Sequence, residues 1–232
     1  MTAAAAASLR GVRALVFDAY GTLFDVAAAA QRCRDALGER HGELSRLWRQ
    51  KQLEYSWLRT LMGRHADFGQ VTAEALDYAL DALGLPAHLR GRLLEIYNRL
   101  DAYPDAKATL ERLRGHGLKT AILSNGSPAM LASAVDGAGL ANLLDAVLSI
   151  EAVGQFKPVP AVYRLAVERL GIEAAAIGFV SANGWDIAGA AAFGFRAVWI
   201  NRERAPVERL PAGPAAQIAA LAELPALLGI EP

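Results

Sequence analysis

The sequence predicts an α/β protein, a parallel sheet covered by helices and interrupted by a wholly helical insert, and three observations predict it. "RALVFDAYGTLFDV" opens with an apolar run that ends in Asp18 and a glycine turn, as suits a strand buried on both faces. After "DAYPDA", near residue 101, short apolar runs alternate with helical stretches, which implies right-handed crossovers and parallel pairing. Between the two, residues 27–100 read as helix throughout, with no β-branched run interrupting "LSRLWRQKQLEYSWLRTLMGR" or "TAEALDYALDALGL". Residues 1–26 and 101–232 then form the α/β core, and 27–100 form a helical cap subdomain inserted just after the first strand.

The first strand covers Arg13 to Phe17 and leaves Asp18 at its carboxyl end, where open α/β sheets place ligands. An equally available reading is that Asp18 merely begins a turn in which Gly21 supplies a positive φ. A helix over 105–115 leads to a strand at Lys119–Ser124 and then "SNGSP". There Ser127 caps a helix over 127–138 and Pro128 takes its first position, while Ser124 is left unexplained by capping and Asn125 suits either a site or an Asn-Gly turn. A strand at Ala146–Ile150 precedes a helix expected from Pro158 to residue 170. Lys157 at its start faces the positive end of the helix dipole, unfavourable by up to about 1 kcal/mol, which suggests a nearby carboxylate. The strand Ile177–Ser181 runs into "SANGWD" and a helix over 185–193, and a last strand covers Arg196–Ile200. Asp186 near that helix start is favourable by itself and demands no function.

Composition excludes several classes. Basic and acidic residues number 24 each, so no electrostatic argument favours nucleic acid or an anionic membrane. No stretch reaches the roughly 18 apolar residues of a membrane span. "MTAAAAASLRGVRA" lacks the basic start of a signal peptide and reads as a disordered tail. A lone Cys33 forms no internal disulfide, which fits a packed thiol in a reducing, cytoplasmic setting. His41, His65, His88 and His116 fall outside the strand-end motifs and have no metal-ligand spacing.

Asp18 after the first strand, Ser124 after the second, Lys157 before the next helix and Asp186 after the fourth strand together resemble the haloacid dehalogenase superfamily over nearly the whole chain. Within it, "FDAYGTLFD", "LWRQKQLEYSWLR", "SNGSP", "FKP…VY" and "SANGWD" are most similar to the (S)-2-haloacid dehalogenases. The resemblance implies a Rossmann-like core with a cap and a nucleophilic Asp18. That group displaces halide from a 2-haloacid to form an ester, which water cleaves. It implies no cofactor and no metal. Lys157 would keep Asp18 ionised, and Thr22 and Ser124 would bind carboxylates. Ser181, Asn183, Asp186 and Tyr163 would orient Lys157 and the water, and Arg49 and Asn125 would cradle the halide. Tyr20, Gln50, Leu53, Phe68 and Trp185 would line the substrate's alkyl part, while Trp48, Tyr55 and Met62 would pack the cap or a subunit interface of a homodimer.

Two alternatives carry distinct signatures. A Mg²⁺-dependent phosphatase of the same superfamily would hold its metal with Asp18, the Tyr20 carbonyl and Asp186. Phosphatases, however, carry a second aspartate two residues after the nucleophile to protonate a leaving alkoxide, and Tyr20 stands there. A halide needs no proton. A non-catalytic relative would be expected to have lost part of the set that Asp18, Lys157 and Asp186 retain.

Overall fold

Backbone pairing gathers the apolar runs into one parallel sheet. Its strands β1 (Ala14–Phe17), β2 (Lys119–Ser124), β3 (Ala146–Ser149), β4 (Ile177–Ser181), β5 (Arg196–Ile200) and β6 (Ala216–Ile218) lie in the order β3-β2-β1-β4-β5-β6. The structure is a computed structural model that describes residues 9–26, 32, 34–98 and 100–230. The N-terminal alanine run and Cys33 lie outside these residues.

Every residue of β1 and β4 is buried, which accounts for their unbroken apolar sequence: helices cover both faces, so there is no wet face to demand alternation. The chain leaves β1 toward β2 on one side, while β4 pairs on the other. A crevice at the carboxyl ends of these two strands is the consequence of that reversal.

Between β1 and β2 run α1 (His41–Met62), α2 (Phe68–Ala82) and α3 (Leu89–Tyr97). Asp67 caps α2 through its side chain, which accepts from Gln70 N–H. The Trp48 indole of α1 donates to Thr72 O of α2 at 2.8 Å. No described helix is long and apolar enough to cross a membrane. The longer helices that follow are α4 (Ala106–Gly115), α5 (Pro128–Gly137), α6 (Pro160–Leu170) and α7 (Gly184–Phe193). Ser127 caps α5 with Pro128 behind it, as the sequence suggests.

Three elements differ from expectation. The helix expected from Pro158 begins at Pro160, because a residue before proline is driven to extended backbone, and Val159 obeys with ψ 131°. Lys157 therefore sits in a loop rather than on a helix terminus. The strand expected to end at Ile150 stops at Ser149, whose hydroxyl accepts from Glu151 N–H and starts a tight helical turn. The short edge strand β6 has no counterpart in the sequence pattern, since three residues carry no periodic signal.

Candidate active site

The crevice is built where β1 and β4 end. Asp18 N–H donates to Val180 O at 2.9 Å, which carries the pairing of the two strands one residue past β1 and sets the side chain in the gap. Among the described residues four donors converge on its carboxylate. Lys157 Nζ lies 3.2 Å from Oδ1, while Asn183 Nδ2 (2.9 Å), Thr22 Oγ1 (3.2 Å) and Ser181 Oγ (3.5 Å) approach Oδ2. Both hydroxyls are aimed by the backbone: Thr22 Oγ1 accepts from Ala182 N–H and Ser181 Oγ from Asn183 N–H, leaving each hydroxyl proton to point at Asp18.

Lys157 is fully enclosed and bridges two acids, with Nζ also 2.8 Å from Asp186 Oδ2. Burial works to lower the pKa of its ammonium, but Asp18 and Asp186 outweigh that and hold it above the ordinary lysine value. Asp186 is as buried as Lys157. Burial raises its carboxyl above the usual range, and the Lys157 ammonium and Tyr163 hydroxyl pull against that rise. Tyr163 donates to Asp186 Oδ1 at 2.8 Å, so both oxygens of Asp186 are engaged. Burial beside Asp186 pushes the Tyr163 phenol far above its ordinary value, which keeps it a donor. The acid that a helix start alone would explain is thus committed to Lys157 and Tyr163.

The loops around Lys157 use the other polar residues of the motifs. Asn125 Oδ1 accepts from Lys157 N–H at 3.0 Å, and Ser124 Oγ accepts from Gly126 N–H at 3.1 Å. Both side chains shape the turn that faces Lys157. Of the histidines, His65 meets Glu151 at 2.9 Å.

From the insert, α1 presents two adjacent rows to the crevice. Trp48, Gln52 and Ser56 are buried, and Arg49, Leu53 and Trp57 flank them half-buried. Gln50, expected in the apolar wall, is exposed instead. Successive helix residues turn by about 100°, so with 48, 49, 52 and 53 facing inward, 50 must face out. Gln52 takes the inner place. It accepts from Arg49 Nη1 (2.6 Å) and donates to Thr72 Oγ1 (2.6 Å) and Tyr97 Oη (3.0 Å). This buried polar chain behind Arg49 goes beyond what the sequence pattern predicts. Its signal was a glutamine in the row of Leu44 and Trp48, where an unpartnered polar group would be costly.

Arg49 Nη2 donates to Asn183 Oδ1 at 3.2 Å, and Asn183 Nδ2 donates onward to Asp18. One amide therefore links the insert's cation to the core's carboxylate, with its two ends fixed by opposite demands. Tyr20 stacks on Tyr97 at 5.7 Å and lies 6.1 Å from the Phe68 ring. Burial, with Tyr97 and Asp18 nearby, pushes its phenol well above its ordinary value, so it does not supply protons readily. Trp185 meets Trp57 edge-on at 5.4 Å, one ring from each side of the crevice. A cavity of about 360 Å³ opens beside these groups, lined among others by Tyr20, Arg49, Gln52 and Asn183.

Comparison with known proteins gives the same picture. Residues 12–194 match the haloacid dehalogenase-like hydrolase family. The chain is 50% identical to (S)-2-haloacid dehalogenase 1 of Pseudomonas sp. (strain CBS-3), over 94% of this chain and 96% of that one. A crystal structure of a dehalogenase superposes with a TM-score of 0.92 at 47% identity, covering 94% of this chain and 98% of the other. The L-2-haloacid dehalogenase from Xanthobacter autotrophicus, solved with chloropropionic acid covalently bound, superposes with a TM-score of 0.86 at 43% identity, covering 94% and 98%. The family match, the identity over nearly the full length and the superposition agree: the chain belongs to the haloacid dehalogenase-like hydrolases, and among them to the (S)-2-haloacid dehalogenases.

Proposed function

We propose that this protein hydrolyses short (S)-2-haloalkanoic acids to (R)-2-hydroxyalkanoic acids and halide, through an ester on Asp18. The observation that carries the reading is the placement of Lys157. Its ammonium lies between Asp18 and Asp186, whose remaining oxygen is taken by Tyr163. A Mg²⁺-dependent phosphatase would need oxygens of those two acids for its metal. Here Lys157 and Tyr163 take both oxygens of Asp186, and Lys157 takes one oxygen of Asp18.

In this reading the two oxygens of Asp18 divide the labour. Among the described residues Oδ1 meets one donor, Lys157, and it is taken as the attacking oxygen, approaching C2 from the side opposite the halide so that configuration inverts. Oδ2, held by Thr22, Asn183 and Ser181, remains the carbonyl oxygen of the ester. When water adds to that carbonyl, the same donors face the oxygen on which negative charge develops. Arg49 receives the halide from the insert side, and Asn125 is the second halide contact of this reading. Tyr20, Leu53, Phe68 and Trp185 form the apolar surround that strips water from the carboxylate.

The reading takes residues 27–100 as a cap. In its support, the chain leaves the core and returns to it at one place, Asp25 N–H donating to Asp101 O at 2.9 Å. It also includes a homodimer in the cytoplasm. Leu58, Leu61 and Met62 leave apolar surface on α1, 43%, 83% and 63% exposed, of the kind a second copy would cover.

Halide release from (S)-2-chloropropionate, measured beside phosphate release from p-nitrophenyl phosphate, tests the reading. Halide release is expected to persist after exhaustive chelation. Loss of turnover in EDTA, restored by Mg²⁺, would favour the phosphatase. At the cap, Arg49→Ala is expected to lower kcat by about 10²-fold, the scale for one aimed donor of transition-state charge. Near-normal turnover of Arg49→Ala, with Asn125→Ala impaired, would move halide binding off α1.

A further inference from the structure

Arg202 stands outside every strand-end motif, in the polar run "NRERAPVER" that follows β5. Its guanidinium reaches back to the turn after β1, where Nη1 donates to Gly21 O and Nη2 to Thr22 O, both at 3.1 Å. The fork is fixed from a second side. Its central carbon lies 3.7 Å from the centre of the Tyr103 ring, and Tyr103 N–H donates to Leu23 O of the same turn at 2.8 Å. Asn201 steadies the backbone beside it, its amide donating to Ala205 O (2.9 Å) and accepting from Ala205 N–H (2.8 Å). A planar fork stacked on a ring and spanning two successive carbonyls is a geometry that lysine, a point charge, does not reproduce.

The turn so gripped holds much of the nucleophile's surroundings. Gly21, at φ 83°, donates its N–H to Phe24 O at 2.7 Å, so the backbone doubles back tightly. Tyr20 precedes it with its ring against the crevice. Thr22 follows, and its hydroxyl meets Asp18 Oδ2. The carbonyl that receives Nη2 therefore belongs to the residue that orients the carboxylate.

We propose that Arg202 is a positioning residue for Asp18: by clamping the Gly21 and Thr22 carbonyls it fixes the Thr22 hydroxyl, and through it the rotation of the Asp18 carboxylate. This rests on the reading of Asp18 as the nucleophile. Arg202 makes no contact with substrate in this role, so its loss falls on kcat rather than KM.

Arg202→Ala is expected to lower kcat on (S)-2-chloropropionate by about 10²-fold, the scale for a small misplacement of a reacting group, with KM close to that of the parent enzyme. Arg202 and Arg49 line the same cavity, so a small cation can enter the emptied place. Millimolar guanidinium chloride is expected to restore much of kcat, and equimolar urea to restore none. A packing defect would respond to neither. Unchanged kcat, a raised KM at unchanged kcat, or a low kcat that guanidinium fails to raise would each overturn the proposal. Arg202→Lys, which keeps charge and most of the volume, is expected to fold and still lose kcat, and parent-like turnover in it overturns the proposal as well. Amide hydrogen exchange gives a readout without chemistry: residues 19–24 should exchange faster in Arg202→Lys while the strands do not. If the parent enzyme releases no halide, the functional reading fails, and the exchange measurement alone decides whether Arg202 holds the turn.

Discussion

In a single turnover of (S)-2-chloropropionate in oxygen-18 water, with enzyme in excess, the label is expected in the peptide containing Asp18 and not in the (R)-lactate released. The displaced halide leaves C2 bonded to an Asp18 oxygen, and water then attacks the aspartyl carbonyl, so the product hydroxyl carries the old carboxylate oxygen. Mass spectrometry of the digested protein reads the outcome. Direct attack by a water that Asp18 merely activates predicts the reverse distribution, label in lactate and none in protein. The donors on Oδ2 favour the first course, because they face the oxygen that becomes an oxyanion when water adds to an ester on Asp18. Asp18→Ala is expected to abolish turnover while leaving the fold intact, as judged by circular dichroism.

Lys157→Met should be nearly as severe for activity and worse for stability. Removing one partner of a buried ion pair leaves an uncompensated charge and typically costs about 3–5 kcal/mol. Here two acids would be left facing one another inside the protein, since Lys157 touches both. The pH dependence has a definite sign. Burial already raises the Asp186 carboxyl, and without Lys157 it rises further. A carboxyl raised above its unfolded value favours the fold most below that unfolded value, and the benefit is lost as pH rises through the folded one. The stability deficit of Lys157→Met, measured by urea unfolding, should therefore be largest at neutral pH and shrink toward the ordinary carboxylate range. A deficit independent of pH would mean that Lys157 contributes by packing alone.

The strand ends were legible because chemistry and chain direction coincide there. Asp18 as a turn residue and Asp186 as a helix-start acid each have a structural use taken singly, and the signal is their recurrence, with Ser124 and Lys157, at successive strand ends and helix starts. The cap was less legible. A long helix rich in polar residues offers several plausible rows, and the spacing of Arg49, Leu53 and Trp57 marks only the flank of the buried one. Gln50 and Gln52 have identical chemistry, and only the helix rotation that Trp48 sets by packing against α2 distinguishes them. Arg202 was invisible for another reason. It sits in a charged loop with Arg204 and Arg209 close by, and its partners are carbonyls about 180 residues away, which leave no mark in the sequence.

The pairing of two acids with two bases in the crevice has an electrical consequence over a reaction cycle. Asp18, Asp186, Lys157 and Arg49 balance before substrate arrives, and a haloacid brings one unit of excess negative charge. Esterification leaves that total unchanged but moves the charge from the Asp18 carboxylate to the departing halide. Halide departure restores balance. Hydrolysis then regenerates the Asp18 carboxylate beside the carboxylate of the new hydroxyacid, and once the proton has gone the excess returns. Each half of the cycle thus ends with an anion leaving while these four groups and their ligand carry one excess negative charge, and each departure returns the four to balance.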